Sequence, residues 1–193
     1  MDLKEENMLV KEILTNVAYL LDDNKLIEAI SQDNFTGHLL EDKNLLIKCV
    51  NYVNNIIATE YFHIDETVTI DNSNGLIPYT SITQKTIFDI VEIKGAFGKK
   101  INFKTTTNGI ETKKGKLTVK FLYMPEDVAY DDNITCYPTK INARIFAYGV
   151  ASEYLFIKGN FDEGDIWDNR FKNALKSIQR NHKEIIMPNR RWQ

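Results

Sequence analysis

The stretch Leu117-Thr118-Val119-Lys120-Phe121, running on through Leu122-Tyr123-Met124-Pro125, decides how this 193-residue chain is read. Apolar and polar side chains alternate with a period of two, the pattern of a strand with one buried face. Moving towards the N-terminus, the same period recurs in Ile101-Asn102-Phe103-Lys104, in the β-branched run carrying Phe88, Ile90 and Ile93, and in Val68 and Ile70 set among threonines. Asn74-Gly75, Gly95, Gly98, Asn108-Gly109 and Gly115 fall between these runs and supply residues suited to the positive φ of hairpin turns. Residues from about 59 to 124 are therefore expected to form an antiparallel sheet or meander. Its Thr-, Lys- and Gly-rich segment 105–116 is expected to be exposed, either as a mobile arm or as a solvated hairpin.

On both sides of this region the period lengthens to that of a helix. Leu9, Ile13, Val17, Leu20 and Leu21 share a stripe that predicts a helix over about 5–21, closed by Asp22-Asp23-Asn24. A short helical stretch around Leu26, Ile27 and Ile30 follows. Leu46, Cys49, Val50, Val53, Ile56 and Ile57 then predict a second long helix, able to pair antiparallel with the first. After the acidic connector Glu126 to Asn133, Tyr137-Pro138-Thr139 can open a helix over about 139–157. That helix carries two apolar faces, Ile141, Ile145, Tyr148 and Leu155 on one and Ala143, Phe146, Ala147, Val150, Ala151 and Tyr154 on the other. A helix apolar on two sides is buried in a core or between subunits. Gly159-Asn160 ends it. The last helix, about 165–179, shows Trp167, Phe171, Ala174, Leu175 and Ile178 on one face, with acids clustered at its start and bases towards its end, as the helix dipole favours. Pro188 stops further helix, so residues 181–193 are expected to leave as an extended, basic tail.

The fold class is thus α+β: a helical bundle built from N- and C-terminal helices, with an inserted antiparallel β-region and an extended C-terminal tail. Helices of about 5–57 and 139–179 and a β-region of about 59–124 are expected within a single domain, residues 1–180. A net charge of −3 provides no global basic field for nucleic acid. No run of apolar residues is long enough for a membrane helix. The first residues lack the pattern of a secretory signal, so the chain is expected to remain in the cytoplasm that made it. Cys49 and Cys136 are its only cysteines, and Cys49 lies on an apolar stripe, so no structural disulfide is expected.

Signatures of catalysis fail on residue type or spacing. His38, His63 and His182 are scattered, and none has a cysteine or carboxylate at metal-ligand spacing, so neither a metal site nor a cofactor is expected. Gly95-Ala96-Phe97-Gly98-Lys99-Lys100 resembles a phosphate loop only faintly, because the glycines are too close and no Ser or Thr follows the lysine. Asp162, Glu163, Asp165 and Asp168 read as helix-start residues, and Glu126, Asp127, Asp131 and Asp132 as a solvated connector. Lys116, Lys120, Phe121 and Tyr123 hint at a single-stranded nucleic-acid platform, although sheet alternation gives the same pattern. The chain is expected not to be an enzyme.

The order of elements, together with Leu117 to Pro125, Ala151-Ser152-Glu153-Tyr154-Leu155-Phe156-Ile157-Lys158-Gly159, Phe161-Asp162-Glu163 and Trp167-Asp168-Asn169-Arg170-Phe171, resembles the head-to-tail adaptor (connector) proteins of tailed bacteriophages. The resemblance lies in order and texture over most of the chain and includes no short diagnostic motif. It implies a virion structural protein of the neck, present in the host cytoplasm during assembly. Copies would form a homo-oligomeric ring, twelve to match the portal protein, docked beneath it and presenting a lower face to downstream neck or tail proteins. Genomic DNA would pass through the lumen without sequence-specific contact. Phe146, Val150 and Tyr154 would then contribute to subunit contact. Lys183, Ile185, Ile186, Met187, Arg190, Arg191 and Trp192 would dock the tail on the portal or a neighbouring copy, where an extended segment can add a strand and a Trp can anchor. The alternatives are another neck or tail-completion protein, or a nucleic-acid-binding accessory protein.

Overall fold

The computed structural model describes residues 8–134, 137 and 140–180. The protein is a mixed α+β fold of five α-helices with antiparallel sheets. In chain order the elements are β1 (Met8–Leu9), α1 (Val10–Leu20), α2 (Asn24–Gln32), α3 (His38–Ile56), β2 (Ile64–Asn72), β3 (Leu76–Pro78), β4 (Ile87–Lys94), β5 (Lys100–Ile101), β6 (Lys104–Thr106), β7 (Gly109–Glu111), β8 (Gly115–Tyr123), β9 (Asn133–Ile134), α4 (Ala143–Lys158) and α5 (Phe161–Arg180). They fall into two compact units, one of residues 1–53 with 128–193 and one of 54–127. The β-region expected as an insertion within one domain gathers as a unit of its own.

In the first unit α1 keeps only part of the stripe expected of it. Val10, Ile13, Leu14, Val17 and Ala18 are buried, while Leu9 is exposed and belongs to β1, which pairs antiparallel with β9. Ile13 and Val17 are thus buried as expected, with Val10, Leu14 and Ala18 beside them, while Leu20 and Leu21 are only half-buried. Asp23 caps α2, its carboxylate accepting from the Lys25 and Leu26 amides. Helix α4 begins at Ala143, four residues later than its sequence pattern suggests, because the Asn142 side chain caps it by accepting from the Ile145 amide. It packs on α1 and α5. Gly149 makes that packing close: a Cβ there would lie 3.0 Å from both Phe171 and Val53. Gly159, at φ +84, ends α4, and α5 starts at Phe161, four residues earlier than expected and six before Trp167 opens its apolar stripe.

The acids of the connector, Glu126, Asp127, Asp131 and Asp132, are exposed as expected, while Val128 and Tyr130 between them tie it down. Asn51 accepts from the Val128 amide at 2.8 Å and donates to the Val128 carbonyl at 3.1 Å. Asp132 accepts from the Ala129 amide and closes a turn, and β9 follows onto β1. Tyr130 is buried, with Phe35 edge-on at 5.6 Å and the Lys43 ammonium 3.7 Å from its ring centre. Burial, with Asp33 and Asp131 adding, pushes its hydroxyl pKa up to about 12.

The second unit holds two antiparallel sheets, β2-β8-β4-β5 and β3-β7-β6. The strand β8 is central, and its alternation puts Leu117, Val119 and Phe121 into a core with Ile90, Ile93, Ile77 and Ile110, residues drawn from both sheets. Strand β4 departs from simple alternation. Its register against β8 shifts between Ile87 and Asp89 and again between Ile90 and Glu92, leaving Phe88 and Val91 without partners and exposed. The second shift lets Ile90 and Ile93, three residues apart, share one buried face. Of the two alternatives for segment 105–116 the hairpin is the one found: β6 and β7 pair against β3 with most of the segment exposed, and Ile110 is its fully buried residue. Gly109, at φ +155, is required there because a Cβ would lie 2.2 Å from the Ile77 carbonyl oxygen. Gly95 instead has an extended φ of −95°, and Phe97 takes the left-handed φ of +59° in that turn.

Candidate interaction surfaces

The tail residues expected to dock, Lys183, Ile185, Ile186, Met187, Arg190, Arg191 and Trp192, lie outside the described residues, as do Cys136 and His182. The residues expected at a subunit contact are placed differently from that expectation. Phe146 and Val150 are 0% exposed, inside the first unit, with α1 and α5 packed on their helix and Tyr137 at 5.9 Å from the Phe146 ring. Their side chains offer no surface to a second copy. Tyr154 is half-buried, and its hydroxyl donates to Asp42 at 2.9 Å, a carboxylate that Lys158 also reaches at 2.7 Å. Burial, with the Asp42 hydrogen bond adding, raises the Tyr154 pKa to about 12.

The other titratable groups displaced in this unit lie within helix packing. Cys49 is buried with a free thiol whose pKa is pushed up to about 12, by burial first and by Glu153 second. Burial likewise raises the Glu153 carboxyl, with Asp168 adding to the effect. The acids at the start of α5 behave as the dipole argument expects: Asp162 and Glu163 stand exposed in its first turn, and Asp168 pairs with Lys172 at 2.7 Å. Among the described residues no three His, Cys, Asp or Glu side chains gather as a metal site. No helix among them is long and apolar enough to cross a membrane. His63 donates from Nδ1 to the Ala58 carbonyl, and His38 sits on the surface beside Glu41.

Two surface features remain. In the first unit, the turn between α4 and α5 exposes Ile157 (59%) and Phe161 (64%), with Phe156 stacked on Phe161 and closed over Gly164. In the second, the β4–β5 turn, residues 95–99, carries Phe97 with its whole side chain in solvent. Lys99, Lys100 and Lys113 line a shallow cleft of about 380 Å³ beside it. Lys94 and, second to it, Lys100 hold the half-buried Glu92 carboxyl below its usual range. A wider cleft, about 670 Å³, lies among Tyr79, Thr83, Lys85, Phe88 and Thr105, with Lys85 bonded to Glu66 at 2.8 Å. The aromatic tip and its lysines were not among the expected site residues. A count would have found them, since residues 94–120 contain eight lysines and one acid, Glu111. A scan against models of known protein families finds no match, and a search of curated proteins finds no relative.

Proposed function

We propose that this chain is a structural component of a tailed-phage neck, a head-to-tail adaptor that assembles as a ring, docks on the portal protein and joins the DNA-filled head to the tail. Its work is assembly, with no reaction and no cofactor. One observation carries this reading: a helical unit drawn from both flanks of the chain, with an antiparallel β-unit inserted between α3 and α4. This is the order of elements on which the adaptor resemblance rests. In this role the helices act as the bundle of the ring wall, and Leu117 to Pro125 leads the chain back from the β-unit into it. The exposed Ile157 and Phe161, at the end of α4 and the start of α5, give the helical unit an apolar corner of the kind that protein contacts cover. Residues 181–193 dock on the portal or on a neighbouring copy.

The test is electron microscopy of the full chain mixed with portal protein, or of the particle that contains it. A closed ring of this chain beneath the portal is the expected result, and its absence from the particle would end the reading. Deleting residues 183–193 is expected to leave the circular dichroism spectrum intact and abolish incorporation. Normal incorporation of that truncation would remove the docking role of the tail.

A further inference from the structure

We propose that the hairpin end of the second unit, carrying Phe97, Lys99, Lys100, Lys113, Lys114 and Lys116, binds single-stranded nucleic acid, its lysines on the phosphates and the Phe97 ring stacked on one base. The argument begins with charge. Eight of the chain's lysines fall within residues 94–120 against a single acid, although the whole chain carries −3. Lys94 and Lys100 are shared by Glu92, and Lys120 pairs with Asp65. Among the described residues Lys99, Lys113, Lys114 and Lys116 are exposed and have no ion pair. Lys116 stands opposite Asp71 in the β2–β8 register, whereas Lys99, Lys113 and Lys114 have no paired acid; unpaired like charges cost free energy in the isolated protein, and a polyanion relieves that cost.

The two loops that carry Lys99, Lys113 and Lys114 are held in place, and Lys116 stands on β8. Gly95 donates to the Lys99 carbonyl at 2.9 Å and Gly98 to the Gly95 carbonyl at 3.2 Å. On the neighbouring loop the buried Asn72 side chain donates to the Lys113 carbonyl at 3.1 Å, and the Thr112 amide donates to the Gly75 carbonyl at 2.9 Å. Side chains on fixed loops lose less freedom when they bind.

Phe97 identifies the kind of polyanion. A Phe at φ +59° in a turn that Asn or Gly would fill more easily, touching nothing, is strained without any packing gain in the free chain. A flat, accessible ring among lysines is what an unstacked base requires, and it adds affinity without reading sequence. All the bases here are lysines, which act as point charges on phosphate and lack the forked geometry that reads base edges. A lipid surface would use the same lysines, but the apolar part is one ring, less than the single acyl chain that itself gives only marginal anchoring. This inference does not depend on the ring reading, because it concerns the isolated chain and a strand of any sequence.

The experiment is fluorescence anisotropy of the full chain with a labelled 30-nucleotide oligo-dT, with the same length of duplex, and by flotation with phosphatidylserine-containing vesicles. With about four phosphates neutralised by Lys99, Lys113, Lys114 and Lys116, a slope of roughly −0.7 per contact gives a log–log salt slope near −3. Affinity for oligo-dT should therefore fall about 50-fold between 50 and 200 mM salt. Phe97→Asn keeps a residue type that accepts the left-handed backbone and should weaken single-strand binding roughly 5- to 150-fold, with little effect on duplex. Lys99→Glu with Lys113→Glu and Lys114→Glu should abolish binding while the circular dichroism spectrum is unchanged. Arg190→Ala with Arg191→Ala should leave it in place. Salt-insensitive binding, binding lost with the arginines and kept in the lysine variant, or no binding at 20 mM salt would each overturn the proposal. Vesicle binding that needs Phe97, with no strand affinity, would assign the surface to lipid and overturn it too.

Discussion

Replacing Asn51 by alanine tests whether the return of the chain from β8 to the helical unit is fixed by a side chain or merely rests there. Asn51 satisfies both backbone groups of Val128, accepting from its amide at 2.8 Å and donating to its carbonyl at 3.1 Å, across 77 residues of sequence. All these groups are partly buried, so water replaces the lost bonds poorly. Two hydrogen bonds at about 1 kcal/mol each give a loss of about 2 kcal/mol, rising towards 3 if the Val128 groups stay dry. For a chain of this length that is a fall in Tm of about 4–8 °C. Thermal and urea unfolding followed by circular dichroism measures it, with the urea slope expected to hold. Asn51→Asp sharpens the test. Its carboxylate still accepts from the amide but faces the Val128 carbonyl, which raises the folded-state pKa, so stability should fall as pH rises through that pKa and recover in acid, where the protonated oxygen can donate. A Tm for Asn51→Ala within 1 °C of the parent would refute the claim that this pair anchors the connector.

Three further substitutions separate packing from contact. Phe146→Ala removes a fully buried ring and should cost about 3–5 kcal/mol in urea unfolding of the isolated chain; a residue serving only a subunit contact would leave that stability unchanged. Gly109→Ala drives a Cβ into the Ile77 carbonyl at a φ of +155°, and the loss should reach at least about 2 kcal/mol. Hydrogen exchange at Ile110 should report opening of the β3–β7–β6 sheet before the rest of the unit. Glu153→Gln should raise Tm at neutral pH. Because burial raises the Glu153 pKa above its unfolded value, the folded state holds the proton more tightly, so stability declines as pH rises from the ordinary carboxylate range through the folded pKa. The gain from Gln should therefore shrink and vanish in acid, and a gain that does not change with pH would show that charge is not its cause.

The mixed fold is legible wherever one physical rule governs a segment from end to end. Strand β8 is paired on both sides and buries every second residue, so Leu117, Val119 and Phe121 announce it. The sequence misleads where a second rule intervenes. In β4 the bulge after Ile90 changes the spacing of the buried residues from two to three, a spacing that belongs to helices. In β6 and β7 the composition is that of a solvated loop, and only Ile110 shows that the hairpin has a buried side. For α1, the strand pair β1–β9 takes Leu9 out of the helix, so the buried stripe begins at Val10.

Contact surfaces obey a harder logic, because an apolar residue reads the same in the sequence whether it fills a core or faces a partner. Phe146 and Val150 on α4 look like half of a two-faced helix, yet α1 and α5 enclose them, since Gly149 lets Phe171 and Val53 approach the backbone between them. Phe97 has the opposite history. Within Gly95 to Lys100 it reads as one apolar residue in a turn, and nothing in the spacing tells that no neighbour reaches it. Only the structure joins the two facts that matter, a ring wholly in solvent and a backbone at φ +59° that a Phe adopts at a cost. On the strand-binding proposal the gain comes through the partner, and the lysines beside Phe97 would limit which partners can approach.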